Sequence, residues 1–198
     1  MEDLLYQCAS SSGTRPNYFY CERNPQQKPR SDPRSILGCI ARQMACLKEK
    51  DELLPAVISL YDEVIENGSA AFVDCDQLTE LLVKLAGSRL VTYVVVDGLD
   101  ECDKPERKIL ISSFRRIIAK ASTTVKVFIA SRTEVDIKAQ LAQAVDVQIV
   151  ASKTKADIEL FIDATVDERA ESDLFYGTAP LTLVTLIKNA LRNGSEGM

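Results

Sequence analysis

Short apolar runs alternate along the chain with longer segments in which apolar residues recur at helical spacing. The run before Asp97 is rich in β-branched residues and has no alternating polar positions, which is typical of a strand buried on both faces of a parallel sheet. We predict strands at residues 18–21, 92–97, 125–130 and 145–150. Strands that alternate with helices in this way predict an α/β fold with a three-layer parallel sheet.

The longer segments are predicted to form amphipathic helices. Asp32 is expected to cap the first helix, with Pro33 at its first position, and Asp76 to cap the third, which Gly87 ends. The predicted helices cover residues 33–50, 52–66, 77–87, a segment from 105 onward, 134–142, 154–165 and 181–191. Residues 167–173 are interpreted as a charged break between the last two helices.

The strand at residues 92–97 ends in a cluster of acids that includes Asp97, Asp100 and Glu101. Ligands of open α/β sheets bind beyond the carboxyl ends of the strands, so this turn is a candidate site. Its form is that of a Walker B motif, in which Asp97 would hold Mg²⁺ and a later carboxylate would orient or deprotonate an attacking water. The alternative is an acidic surface loop, in which Asp103 only favours the N-terminus of the following helix.

The next predicted strand ends in Ser131-Arg132. An arginine there would reach the same cleft and could sense a γ-phosphate. The alternative is a structural ion pair between Arg132 and one of the acids that follow the neighbouring strand.

Composition narrows the class of protein. The chain has 198 residues, 46% of them hydrophobic, which is enough for one core or for one domain and part of a second. The net charge of -5 argues against nucleic acid as a partner. There are six cysteines without a Cys-x-x-Cys pair and no histidine, so a zinc site is not expected. We expect a cytoplasmic protein with reduced cysteines and no membrane span, since no apolar run approaches roughly 20 residues.

An ordered series of segments resembles the NACHT domains of fungal signal-transducing P-loop NTPases of the STAND class. These are the nephrocystin-3-like N-terminal domains that precede ankyrin or WD40 repeats. The matching segments are residues 18–21, 32–37, 94–102, 127–132 and 157–158. The resemblance implies that Asp97 binds Mg²⁺, that Asp100 and Glu101 support hydrolysis of ATP or GTP, and that Ser131 and Arg132 contact the nucleotide. It also implies a partial NACHT domain over residues 1–152 and the start of a helical region over residues 153–198.

The departure from that family concerns the phosphate-binding loop. A P-loop NTPase needs G-x-x-x-x-G-K-[ST], and no Gly-Lys pair occurs in this sequence. In the family this loop and its strand lie upstream of the segment that matches residues 18–21, so we expect a truncated domain that lacks its first strand. That strand would lie between residues 125–130 and 145–150. Without it, the strand at 145–150 would either close against 125–130 or stay unpaired.

We therefore expect nucleotide binding to be weak or absent, without independent hydrolysis. The expected role is an interaction or regulatory module that binds protein partners or associates with itself. Two alternatives stay open. The first is an active ATP or GTP hydrolase whose phosphate-binding loop is supplied upstream or in trans. The second is a Mg²⁺-dependent phosphotransferase or nuclease that uses only the acidic cluster.

Overall fold

The computed structural model describes residues 16–24, 30–45, 53–66, 73–149, 151–171 and 180–194. The chain divides into two compact units, Met1–Ala142 and Gln143–Met198. In the described part of the chain, no helix combines the length and the apolar character that crossing a membrane requires.

The first unit is built on a parallel sheet of three strands. These are β1 (Asn17–Tyr20), β2 (Val91–Asp97) and β3 (Thr124–Ala130), in the spatial order β1-β2-β3. Asp97 lies opposite Tyr20 on one side and Ala130 on the other, so the three strands end at the same edge. The predicted α/β fold with a parallel sheet is confirmed, and the three predicted strands lie within one residue of their expected positions.

Helices connect the strands and supply most of the core. They are α1 (Pro33–Met44), α2 (Pro55–Glu66), α3 (Cys75–Gly87), α4 (Lys104–Lys120) and α5 (Val135–Gln140). The predicted cap of α1 is confirmed, because the Asp32 carboxylate accepts a hydrogen bond from the Ser35 N–H at 2.9 Å.

The predicted cap of α3 is wrong. Asp74, not Asp76, caps this helix and forms a capping box with Gln77. The helix begins at Cys75, so Asp76 falls inside the first turn, where a carboxylate still favours the positive end of the helix dipole. Two acids two residues apart could each have begun the helix, and the glutamine three residues after Asp74 decides between them.

One face of the sheet is buried more deeply than the other. Side chains of β2 alternate, with Thr92, Val94 and Val96 buried and their neighbours only half-buried. On the second face Tyr18 and Phe128, which flank Val95 in register, are both exposed. The expectation of burial on both faces is therefore wrong for the described residues of this unit, because the core helices cover the face that carries Val94 and Val96.

The predicted strand at residues 145–150 is also wrong over its described part. Residues 145–149 form neither helix nor strand, and Val145, Val147 and Ile149 are exposed. The sheet has three strands among the described residues, so closure of this segment against residues 125–130 is not found. β-branched residues favour a strand only when a neighbouring strand accepts their backbone hydrogen bonds, and no strand among the described residues pairs with this segment.

The second unit contains α6 (Ala151–Glu171) and α7 (Leu181–Gly194). The predicted charged break at residues 167–173 is wrong for residues 167–171, because α6 continues through these residues. Residues 172 and 173 lie outside the described residues. Two acids of α6, Asp167 in the predicted break and Asp163 one turn before it, form ion pairs with α7. Lys188 lies 2.7 Å from Asp167, and Arg192 lies 2.6 Å from Asp163.

Candidate functional site

The acidic turn, residues 97–103, connects β2 to α4. Gly98 adopts the left-handed conformation with φ of 75°, and its N–H donates to the Ala130 carbonyl at 3.0 Å. A side chain at this position would bring Cβ within 3.0 Å of the Cys21 carbonyl oxygen. Leu99 is fully buried below the turn. Because Gly98 reverses the backbone, the acids on either side of it meet different surroundings.

Asp97 keeps its carboxylate available. The residue is half-buried at the end of β2, and its backbone carbonyl accepts a hydrogen bond from the Cys21 N–H at 2.8 Å. Among the described residues, no side chain or backbone group hydrogen-bonds or ion-pairs with its carboxylate. The position predicted to hold a metal therefore presents free oxygen ligands at the carboxyl edge of the sheet.

Asp100 is occupied by structural contacts. Its side chain is only 9% exposed, and its Oδ1 accepts the backbone N–H of Arg132 at 2.9 Å. Its Oδ2 lies 3.7 Å from Arg132 Nε. The carboxylate thus joins the acidic turn to the segment after β3, which is the structural alternative raised for Arg132.

Glu101 is held by the segment that follows β1. Its Oε2 accepts the Arg23 N–H at 3.3 Å, and its carbonyl accepts Arg23 Nε at the same distance. The Arg23 guanidinium also donates to the Asp100 carbonyl at 3.1 Å. These contacts fix the backbone of the turn from the β1 side.

Ser131 and Arg132 follow β3 at the same edge of the sheet. The Arg132 side chain is 86% exposed, so its guanidinium is open to solvent despite the contact with Asp100. The Ser131 hydroxyl donates to the Arg132 carbonyl at 2.6 Å. The sheet thus brings the five predicted site residues to one edge, where Asp97 is half-buried, the Arg132 side chain is exposed and the Asp100 side chain is nearly enclosed.

Arg107, in the first turn of α4, organises the acidic turn from below. Its side chain is 3% exposed, and it donates to the carbonyls of Asp100 at 2.6 Å and Cys102 at 2.7 Å. It also pairs with Glu134 at 2.6 Å and with Asp136 at 3.1 Å, before and within α5. These hydrogen bonds, first that to Glu134, raise the pKa of the guanidinium despite its burial.

Arg107 is not among the site residues predicted from the sequence, although the sequence carries a signal for it. It lies three, four and seven residues before Leu110, Ile111 and Phe114, and thus on the buried stripe of α4. A cation on an apolar stripe must find partners inside the protein, because an unpaired buried charge is too costly. The spacing reveals that partners exist, but it does not identify Glu134 and Asp136.

The described residues contain no group of three or more histidine, cysteine, aspartate or glutamate side chains placed to hold a metal ion together. A metal site made entirely by the protein is thus not found there. One free carboxylate fits a different arrangement, since Mg²⁺ is commonly held by one or two carboxylates, several waters and the phosphates of a ligand.

Comparison with known proteins gives one family. The family model described as nephrocystin 3, N-terminal, matches residues 2–132, which is 131 of the 198 residues and includes the whole acidic turn and Arg132. No curated protein and no solved structure matches the chain significantly.

Proposed function

The chain belongs to the nephrocystin 3 N-terminal family, and from this we propose that it is a NACHT-type regulatory or interaction domain in which Asp97 binds the Mg²⁺ of a nucleotide weakly. ATP and GTP are both candidate nucleotides. The domain acts through protein partners or self-association and does not hydrolyse the nucleotide by itself.

The free carboxylate of Asp97 carries this proposal. It stands at the carboxyl end of the central strand of a parallel sheet, which is where open α/β sheets bind ligands. Asp97 and water would share the ion with the phosphates, and the exposed Arg132 guanidinium would offset phosphate charge from the neighbouring strand. Mg²⁺ itself would supply charge neutralisation at the phosphates.

The same geometry supports the absence of independent hydrolysis. A carboxylate can orient or deprotonate the attacking water only if it reaches the reacting groups. Asp100 is enclosed and already accepts the Arg132 N–H, while Glu101 accepts from Arg23. The sequence also lacks a Gly-Lys pair to hold the phosphates.

Calorimetric titration of the full chain with MgCl₂, alone and with ATP or GTP, tests the proposal. We expect weak Mg²⁺-dependent binding that Asp97→Ala removes and that Asp103→Ala retains. Asp103 is the matched control, because it belongs to the same turn and its side chain is 77% exposed. Absence of Mg²⁺-dependent binding to the wild type, or equal loss in both variants, contradicts the metal assignment. Phosphate release by the wild type above the Asp97→Ala background contradicts the absence of hydrolysis.

A further inference from the structure

The sheet of the described residues has two outer edges, and their backbone groups are bonded differently. At the outer edge of β1, the Gln43 side chain of α1 accepts the Tyr18 N–H at 2.9 Å and donates to the Tyr18 carbonyl at 2.8 Å. One side-chain amide thus bonds both backbone groups of Tyr18, as a neighbouring strand would. Another strand can pair with Tyr18 only if it displaces Gln43.

The outer edge of β3 has no such cover within the described part of the chain. The Ala130 carbonyl accepts the Gly98 N–H and therefore faces β2. Because successive residues of a strand turn their backbone groups to opposite sides, Val125, Val127 and Ile129 direct theirs away from β2. Among the described residues, nothing hydrogen-bonds to these outward N–H and carbonyl groups. They form a row of unpaired donors and acceptors, which we call the β3 edge.

The β3 edge has little protection against pairing with another strand. Proteins usually protect an edge strand with proline, a bulge, charged side chains or a covering segment. The register of β3 with β2 runs without a bulge from Thr124 to Ala130, and β3 contains no proline. Its one charged side chain is Lys126, which lies on the exposed face of the sheet beside Phe128. Phe128 is 57% exposed.

We propose that the β3 edge is a self-association surface, at which a second copy of this chain pairs its own β3 antiparallel about a twofold axis at Val127. The inference rests on the self-association part of the proposed function. Val127 is the middle residue of β3, so this register uses the whole strand. Val127 faces the second copy's Val127, and Val125 faces the second copy's Ile129, so the unpaired groups of the two edges bond each other.

The side chains on the exposed face favour this register. The axis places Lys126 opposite the second copy's Phe128, in a pair without backbone hydrogen bonds, where side chains approach most closely. The Lys126 ammonium lies 5.9 Å from the centre of the Tyr93 ring, and a second aromatic ring on its other side adds a further cation–π contact. An axis at Lys126 would instead place two cations directly opposite each other, which is unfavourable.

Analytical ultracentrifugation of the full chain, without Mg²⁺ or nucleotide, tests the proposal. We expect a weak monomer–dimer equilibrium between micromolar and millimolar concentration, because the paired edge is small compared with a standard interface. Phe128→Lys should weaken the dimer about tenfold, since it places cations opposite each other at two symmetric positions. Phe128→Glu should keep the dissociation constant near the wild-type value, because it places an acid opposite each Lys126. Adding Lys126→Glu to Phe128→Lys should restore the dimer.

Tyr18 supplies the matched control variants. It is an exposed aromatic residue on the same face of the sheet, but it lies in β1. Tyr18→Lys and Tyr18→Glu should both leave the dissociation constant unchanged. Asp97→Ala should leave it unchanged as well, so the dimer and the Mg²⁺-dependent binding of nucleotide can fail independently of each other.

Three results would overturn the proposal. The first is a wild-type chain that stays monomeric throughout this concentration range, and it needs no variant to be read. The second is a dimer that Phe128→Lys and Phe128→Glu change equally or not at all. The third is a dimer that Tyr18→Lys weakens as much as Phe128→Lys does, which would assign the contact to the face of the sheet and not to its β3 edge. Circular dichroism checks that each variant is folded.

Discussion

The two sides of the acidic turn contain the same kinds of residue and differ in how they are bonded. On the inner side, the side chains of Asp100 and Arg107 are nearly enclosed, and Arg107 donates a hydrogen bond to the Asp100 carbonyl. On the outer side, Asp97 has no partner for its carboxylate among the described residues, and the Arg132 side chain is exposed. Burial and bonding, not charge, separate the groups that hold the turn from the groups that can meet a ligand.

Replacing Arg107 should give the largest effect. Arg107→Ala leaves Glu134, Asp136 and two turn carbonyls without their donor, and removing one partner of a buried ion pair typically costs 3–5 kcal/mol. We expect a loss of about 3 kcal/mol in the free energy of unfolding, near the lower end, because Glu134 and Asp136 are partly open to water. Urea unfolding followed by circular dichroism measures it.

Arg116 provides the control for this prediction. It pairs with Asp76 and Glu80 in a similar way but on the exposed surfaces of α3 and α4. Arg116→Ala should change stability far less than Arg107→Ala, because surface ion pairs are screened by water. Equal losses in the two variants would remove the distinction between an enclosed inner side and an exposed surface.

Gly98→Ala tests the backbone that separates the two sides. A side chain there would be forced into the left-handed region and would lie 3.0 Å from the Cys21 carbonyl oxygen. We expect a loss of about 1–2 kcal/mol from the backbone conformation alone, with the contact adding to it. Gly38→Ala is the matched control, because Gly38 lies inside α1 and its new Cβ would come no closer than 3.9 Å to Leu78. That change should be neutral or stabilising in the same urea experiment.

The strands and the edge at which they end were predictable from local sequence. β-branched runs mark β2 and β3, and parallel strands bring Asp97, Asp100 and Arg132 to one edge whatever the details of packing. The run at residues 145–149 is similar in composition yet forms no strand. Strand formation depends on a neighbouring strand, which local sequence does not report.

The bonding of individual acids was not predictable in the same way. Asp97 and Asp100 are three residues apart and chemically identical, and only the left-handed turn at Gly98 gives them different surroundings. The role of Arg107 depends on Glu134 and Asp136, which lie 27 and 29 residues further along the chain. Such pairings follow from the tertiary fold, so the sequence indicates a buried cation without naming its partners.

Asp100→Ala should have an intermediate effect. The substitution removes the acceptor of the Arg132 N–H and part of the link between the acidic turn and the segment after β3. Hydrogen bonds to charged groups contribute about 1.5–3 kcal/mol, and water can reach the freed N–H, so we expect a loss of about 1 kcal/mol. Asp100→Asn keeps an oxygen acceptor and should recover much of that loss. If both variants were as stable as the wild type by thermal melting, Asp100 would not hold the turn.

Asp97→Asn should have the smallest effect on stability. Its carboxylate makes no hydrogen bond or ion pair among the described residues, and it lies near other acids, so removing its charge should leave the free energy of unfolding within about 0.5 kcal/mol of the wild-type value or raise it slightly.

The effect of Asp97→Asn should instead appear when the ligand is present. A ligand that binds only the folded state raises Tm in proportion to its occupancy, so Mg²⁺ with nucleotide should raise the Tm of the wild type and not that of Asp97→Asn. Asp100→Asn, although less stable, should keep the ligand-dependent rise, because its carboxylate is turned away from solvent. The reverse pattern, with the rise lost in Asp100→Asn and kept in Asp97→Asn, would assign the ligand to the inner side of the turn.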